Sequence, residues 1–172
     1  MKKIIQKVFN LFGYGLIKIK NFQKLYRSLD TTIKPLIKKD SPIIFDVGAH
    51  EGETIKRFNN VFQNPEIHCF EILKKFNNQK IFVNNYALGD KVEQKKIYIN
   101  NLDSSSSIYN IDNKLKFLKN LKTVSQQDVN IDTLDNYVKK NNVEYIDILK
   151  IDVQGYEDKV LLGSIKSLSN KI

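Results

Sequence analysis

The chain has 172 residues, 41% hydrophobic and 27% charged, with one cysteine and a formal net charge of +9. That length suits one domain with attachments and excludes two full catalytic domains, and the composition is that of a folded chain rather than a disordered one. Cys69 stands alone, which excludes a disulfide framework and a cysteine-based zinc site and suits a reducing, cytoplasmic setting.

Charge is concentrated at the front. Residues 1–40 hold ten Lys or Arg against Asp30 and Asp40, a net of +8, whereas the rest holds 18 against 17. Only Arg27 and Arg57 are arginine, which argues against specific nucleic-acid reading, where the guanidinium fork is the common tool. No apolar run approaches the roughly 20 residues that span a bilayer. Interrupting lysines and the lack of a small-residue cleavage site argue against a signal peptide.

Ile4, Ile5, Val8, Phe9 and Phe12 fall on one helical face before Gly13 and Gly15 interrupt. Phe22, Leu25, Tyr26, Leu29 and Ile33 repeat at three and four residues, predicting a second helix from Lys18 to about Lys38. Residues 1–40 therefore read as a basic helical segment. Two uses stay open: peripheral contact with the inner face of an anionic membrane, or a solvated cap on the core, which is the simpler of the two.

After Ser41-Pro42 short apolar runs alternate with helical patterns, the mark of βαβ units and a parallel sheet, so residues 41–172 read as one α/β domain. Strands are expected at 43–47, 66–71, 81–87 and 145–151. A helix follows the first, with Ile55, Phe58, Val61 and Phe62 inward. Another follows the last, with Val160, Leu161, Ile165 and Leu168 inward. VEQKKIYI and KTVSQQDV alternate like antiparallel strands on either side of NNLDSSSSIYN, and IDTLDNYVKKNN reads as a helix leading to the fourth parallel strand.

IIFDVGAHEGET, residues 43–54, joins an apolar strand ending in Asp46 to a glycine turn and a helix start. Gly48 and Gly52 let the backbone approach a ligand, and the helix start offers free amides. The spacing is G-x-x-x-G, so the dinucleotide fingerprint is not met and an NAD-type oxidoreductase is disfavoured. Glu71 ends the second strand 19 residues beyond Gly52, near the ~20-residue offset at which an acid meets ribose hydroxyls. His50 sits in the turn and suits a backbone role; His68 and Cys69 lie mid-strand and suit the core.

These blocks resemble the FkbM-type S-adenosylmethionine-dependent methyltransferases, within the class I Rossmann-like group. IIFDVGAHEGET looks like the first motif, CFEI the second-strand motif and NYALGD the third, with SSSSI, IDTLD and DILKIDVQGYE following in order. The resemblance implies a three-layer α/β/α fold with a mainly parallel sheet, S-adenosylmethionine as methyl donor, and O-methylation of a hydroxyl on a glycan or small-molecule natural product. It assigns Asp46, Gly48 and Ala49 to the donor's amino-acid end, with Gly52 and Thr54 completing the turn. Glu71 goes to the ribose, Ile72 to the adenine face, and Ala87, Leu88 and Asp90 to the adenine edge.

The resemblance also implies that Asp152, ending the fourth strand, sits beside the transferable methyl, and it is the first candidate base; Glu157 is a weaker one, read more simply as an acid satisfying free amides at a helix start. Ser104 to Ser107 are candidate acceptor contacts or a plain loop. No metal ligands are assigned, and Gln154 stands where the family usually has an acid. The full class I sheet runs 3-2-1-4-5-7-6, so the chain reads as ending after the fourth strand, leaving YIDILKI as an edge for a partner chain or second copy. A donor-binding remnant without turnover is the alternative reading.

Overall fold

The computed structural model describes residues 32–72, 81–102, 105–109 and 120–170. The chain divides into two units, Met1–Lys38 and Lys39–Ile172. The helix expected over residues 4–12 lies outside the described residues. Of the second, only residues 32–38 are described, where the Leu36 and Ile37 amides donate to the Ile33 carbonyl. Among the described residues no helix is long and apolar enough to cross a membrane.

In the second unit, β1 (Ile43–Val47) lies centrally in a four-stranded parallel sheet, beside β2 (Glu66–Phe70), which pairs in turn with β3 (Ile81–Asn84). On its other side β1 pairs with β7 (Ile148–Ile151), so the order β3-β2-β1-β7 is that of the first four strands expected. Burial on both faces explains why IIFDV is apolar throughout except at Asp46. Phe45, Val47 and Phe70 pack on one face with Leu134, Tyr137 and Val138 of α2 (Leu134–Lys140) and Val160 of α3 (Glu157–Leu162). Alternation puts Ile44, Asp46, Ile67 and Cys69 on the other face, also buried. Burial pushes the Cys69 thiol up to about 12, so this cysteine is an inert core residue.

Between β1 and β2 runs α1 (Glu53–Val61), with Ile55 and Phe58 inward, Phe62 buried just past its end and Val61 only partly so. The antiparallel pair is present as β5 (Glu93–Asn100) and β6 (Thr123–Asp132), one on either side of the polar tract as expected.

Three expectations are corrected. The third strand, expected unbroken over 81–87, ends at Asn84; Ala87–Leu88 form β4, which leaves the main sheet and pairs with β6. Tyr86 turns its ring edge onto Phe70 at 5.7 Å, redirecting the chain between the two. The fourth parallel strand begins at Ile148 instead of Tyr145, because the Asp147 carboxylate accepts the Ile43 amide at 2.9 Å and pairs with Lys39 at 2.8 Å before the ladder begins.

The last helix breaks in two at Gly163, giving α3 and α4 (Ile165–Asn170). Gly163 packs against the Gly89 carbonyl, where a Cβ would come within 1.8 Å. The break rotates the buried face: Val160 stays inward, Leu161, Ile165 and Leu168 are exposed, and Ser164 and Ser167 are buried in their place. Asp135 accepts from the Ser167 amide and hydroxyl at 2.8 and 2.7 Å, which satisfies that buried serine.

Candidate functional site

A cavity of about 230 Å³ opens at the carboxyl ends of β1, β2 and β7, the crevice where open parallel sheets bind ligands. Its floor is the turn after β1. The Gly48 amide donates to the Phe70 carbonyl at 2.9 Å, and Gly48, His50 and Gly52 all have positive φ, so the chain zigzags closely past the strand ends. A Cβ on Gly48 would stand 2.0 Å from the Asp152 carbonyl oxygen, so that position admits glycine alone. The His50 amide donates to Glu71 Oε2 at 2.7 Å, tying the turn to the end of β2.

Of the sequence-assigned residues, Gly48, Ala49, Thr54, Glu71, Ile72, Ala87, Leu88 and Asp152 line this cavity together. Four do not. Gly52 caps α1 in a left-handed conformation. Asp90 is turned to Lys159 at 3.0 Å, an ion pair away from the cavity wall. Glu157 accepts the Val153 amide at 3.0 Å and the Gly155 amide at 3.0 and 3.2 Å. Burial pushes its carboxyl up, but the surrounding backbone amides outweigh this and hold it below the usual range, the behaviour of a structural cap and not of a base.

Asp46 is fully buried beneath the turn. Lys150 Nζ stands 3.0 Å from its Oδ1, yet no donor among the described residues is aligned to hydrogen-bond either oxygen. Burial raises the Asp46 carboxyl above its usual range; Lys150 opposes this, and Asp152 and Glu71 add to it.

Lys150 is the residue that sequence reasoning passed over. It lines the cavity, donates to the Gly48 carbonyl at 2.7 Å and lies 3.8 Å from Asp152 Oδ2. The signal was present: a lysine inside the apolar ILKI, two residues before Asp152 and thus on the same strand face. Its partner became visible only with the register, which sets Lys150 opposite Asp46.

Phe70, Ile97, Ile108 and Val153 add apolar wall, while Ser106, Ser107 and Gln154 add polar wall. Ser104 lies outside the described residues. Ser107 Oγ donates to the Gln154 carbonyl at 2.8 Å, holding the serine segment against the loop after β7. Gln154 Nε2 donates to Asp152 Oδ1 at 3.0 Å. His50 lines the wall with its Nε2 buried and without a hydrogen-bond partner among the described residues. Also among the described residues, no group of three or more His, Cys, Asp or Glu side chains is placed to hold a metal ion.

Comparison with known proteins bears on what this cavity serves. The methyltransferase FkbM domain matches residues 46–172. The curated 2-O-methyltransferase NoeI of Sinorhizobium fredii (strain NBRC 101917 / NGR234) is 22% identical over 183 residues, covering 96% of this chain and 73% of that protein. The crystal structure of methyltransferase FkbM from Methylobacillus flagellatus KT aligns over 78% of this chain at 15% identity with a TM-score of 0.48, and this chain spans 32% of that one. With the family match covering most of its length, the chain belongs to the FkbM methyltransferase family.

Proposed function

We propose that the chain binds S-adenosylmethionine in this cavity and serves methyl transfer to a hydroxyl of a glycan or small-molecule natural product. The observation that carries the reading is the cavity itself: the Gly48 turn, Glu71 and an apolar wall meet at the strand ends of a chain in a methyltransferase family. The name of its relative, a 2-O-methyltransferase, supports the hydroxyl as acceptor.

The residues present fit such a donor. Asp46, buried behind Lys150, supplies negative charge beneath the turn, Glu71 stands at the end of β2 where a ribose diol would be gripped, and Ile72, Ala87 and Leu88 supply apolar contact for an adenine. When bound, S-adenosylmethionine supplies a methyl group activated on a sulfonium. An aliphatic hydroxyl is a poor nucleophile until its proton is taken. Asp152, exposed at the rim, is placed to take it. Alignment of the acceptor within the cavity supplies the remaining acceleration.

The test is calorimetric titration of the purified chain with S-adenosylmethionine, S-adenosylhomocysteine and NAD, alongside Glu71→Gln. Binding of the first two, weakened in the variant and absent for NAD, supports the reading; a folded chain that binds neither overturns it. One contact favours a second reading, donor binding without turnover: the Gln154 amide occupies an oxygen of the candidate base. Donor binding without tritiated-methyl transfer to any of a panel of free sugars and glycans would support that alternative.

A further inference from the structure

The carbonyl of Gly48 and the carboxylate of Asp46 converge on one point, and Lys150 Nζ occupies it, 2.7 Å from the first and 3.0 Å from the second. A carbonyl and a carboxylate converging in this way are the partners an ammonium group takes. Asp46 itself does not line the cavity whereas Lys150 does, so the lysine stands between the buried acid and any ligand. Asp152 Oδ2, just past the end of the same strand and 3.8 Å from Nζ, offers the lysine a second anion about 0.6 Å beyond hydrogen-bond reach.

We propose that Lys150 is a built-in occupant of the cavity's ammonium seat, which the α-amino group of an incoming ligand displaces toward Asp152. The inference rests on the donor reading above and deepens it by naming the residue that sets the cavity's selectivity for amine-bearing ligands. Two consequences follow. An amine-bearing ligand competes with the chain's own lysine, so its apparent affinity is reduced by the fraction of time the seat is open. Its arrival also moves a cation onto Asp152, coupling the donor side of the cavity to the acid at its rim.

Among the described residues, the groups facing Asp46 are Lys150 and Asp152 from β7 and its end, and Cys69 and Glu71 from β2 and its end. With the lysine gone, only acids and a thiol among the described residues face it. Asp46 then ionises at higher pH than before, and the seat fills with an ammonium more tightly as pH rises.

The experiment titrates the full chain and Lys150→Met with S-adenosylhomocysteine, which carries the α-amino group, and with 5′-methylthioadenosine, which lacks it. The expected result is S-adenosylhomocysteine binding about tenfold tighter in the variant, as self-competition is removed, with the gain growing as pH rises and methylthioadenosine unchanged. Lys150→Arg keeps wild-type behaviour. Unchanged or weaker S-adenosylhomocysteine binding, with methylthioadenosine still bound, overturns this inference and leaves the donor reading standing. Failure of both ligands on both folded chains removes the donor reading and this inference with it. Should Lys150→Met not fold, the wild-type chain labelled with lysine ¹⁵Nζ decides: S-adenosylhomocysteine must shift the Lys150 resonance and methylthioadenosine must not, and equal shifts overturn the inference.

Discussion

Gly48 lies against the backbone of Asp152: the site where its Cβ would stand is 2.0 Å from the Asp152 carbonyl oxygen and 3.3 Å from a methyl of Val153. The turn after β1 and the end of β7 are thus in backbone contact, and the cavity floor exists because one residue there has no side chain. Gly48 also has φ of +81°, which L side chains rarely adopt. Gly48→Ala therefore meets a clash with main chain, which cannot swing aside, on top of the conformational strain. The expected cost is about 3 kcal/mol or more, read as a fall in thermal midpoint. Gly155→Ala is the control: its φ is +97°, but the added Cβ meets only a Tyr109 ring carbon at 3.7 Å. About 1 kcal/mol is expected there, and equal losses for the two would refute the close-approach argument.

Glu157 and Asp152 sit five residues apart and are predicted to part company on mutation. Glu157→Gln keeps one acceptor oxygen for the Val153 and Gly155 amides but removes the charge, costing about 1 kcal/mol through the weakened helix start. The Glu157 carboxyl lies below its usual range in the folded chain, so its stabilisation is present above the unfolded value and is lost as pH falls through the folded one. Glu157→Gln should therefore flatten part of the stability loss below about pH 4, while leaving S-adenosylhomocysteine affinity within twofold. Asp152→Asn should leave stability almost unchanged, because that carboxylate is largely exposed, and should abolish any methyl transfer the wild-type chain performs. A large affinity loss in Glu157→Gln would count against a purely capping role for that residue.

The parts legible in the sequence were those with a strict period or a positional signature. IIFDV is bounded by Pro42 and the Gly48 turn, and the strand runs over the expected Ile43–Val47. The β5–β6 pair was readable from alternation. What escaped were features set by contacts distant in sequence. The 81–87 strand splits because Tyr86 packs on Phe70, and the last helix breaks because Gly163 meets Gly89, 74 residues earlier. Helical spacing alone would bury Leu161 and Ile165; the backbone contact overrides it. In the cavity the same division holds. Gly48, Glu71 and Asp152 lie at strand ends and could be placed from chain order, whereas the covering of Asp46 by Lys150 depends on a cross-strand register that chain order does not specify.

Gly163 makes the point measurable. A Cβ there would stand 1.8 Å from the Gly89 carbonyl oxygen and 2.9 Å from its carbon. Gly89 follows β4, and its amide donates to Asp132 at the end of β6, so Gly163→Ala should disturb the second sheet from the far end of α3. The expected outcome is loss of hydrogen-exchange protection at the Gly89 amide ahead of the β1 and β2 amides, with about 2 kcal/mol or more of stability lost. Uniform loss across both sheets, or no loss, would count against it.

His68 provides a pH dependence with a definite sign. Its ring is stacked between Phe45 and Phe82, each at 4.6 Å, with Nδ1 2.7 Å from the Tyr137 hydroxyl and Nε2 2.8 Å from Glu66 Oε1. Burial holds the imidazole below its usual value, and the Glu66 carboxylate pulls the other way without restoring it. The unfolded chain therefore binds this proton first as pH falls, so stability is full above about pH 6.5 and declines below it by at most ~1.4 kcal/mol per pH unit, down to the folded value. His68→Phe keeps the stack and removes the titration. The Tyr137 hydroxyl retains the Asn84 amide at 3.4 Å, and Glu66, half-exposed, returns to water. Urea midpoints measured from pH 7.5 to pH 5.5 should fall more steeply for the wild-type chain than for His68→Phe, and parallel curves would show that the buried imidazole does not drive the decline.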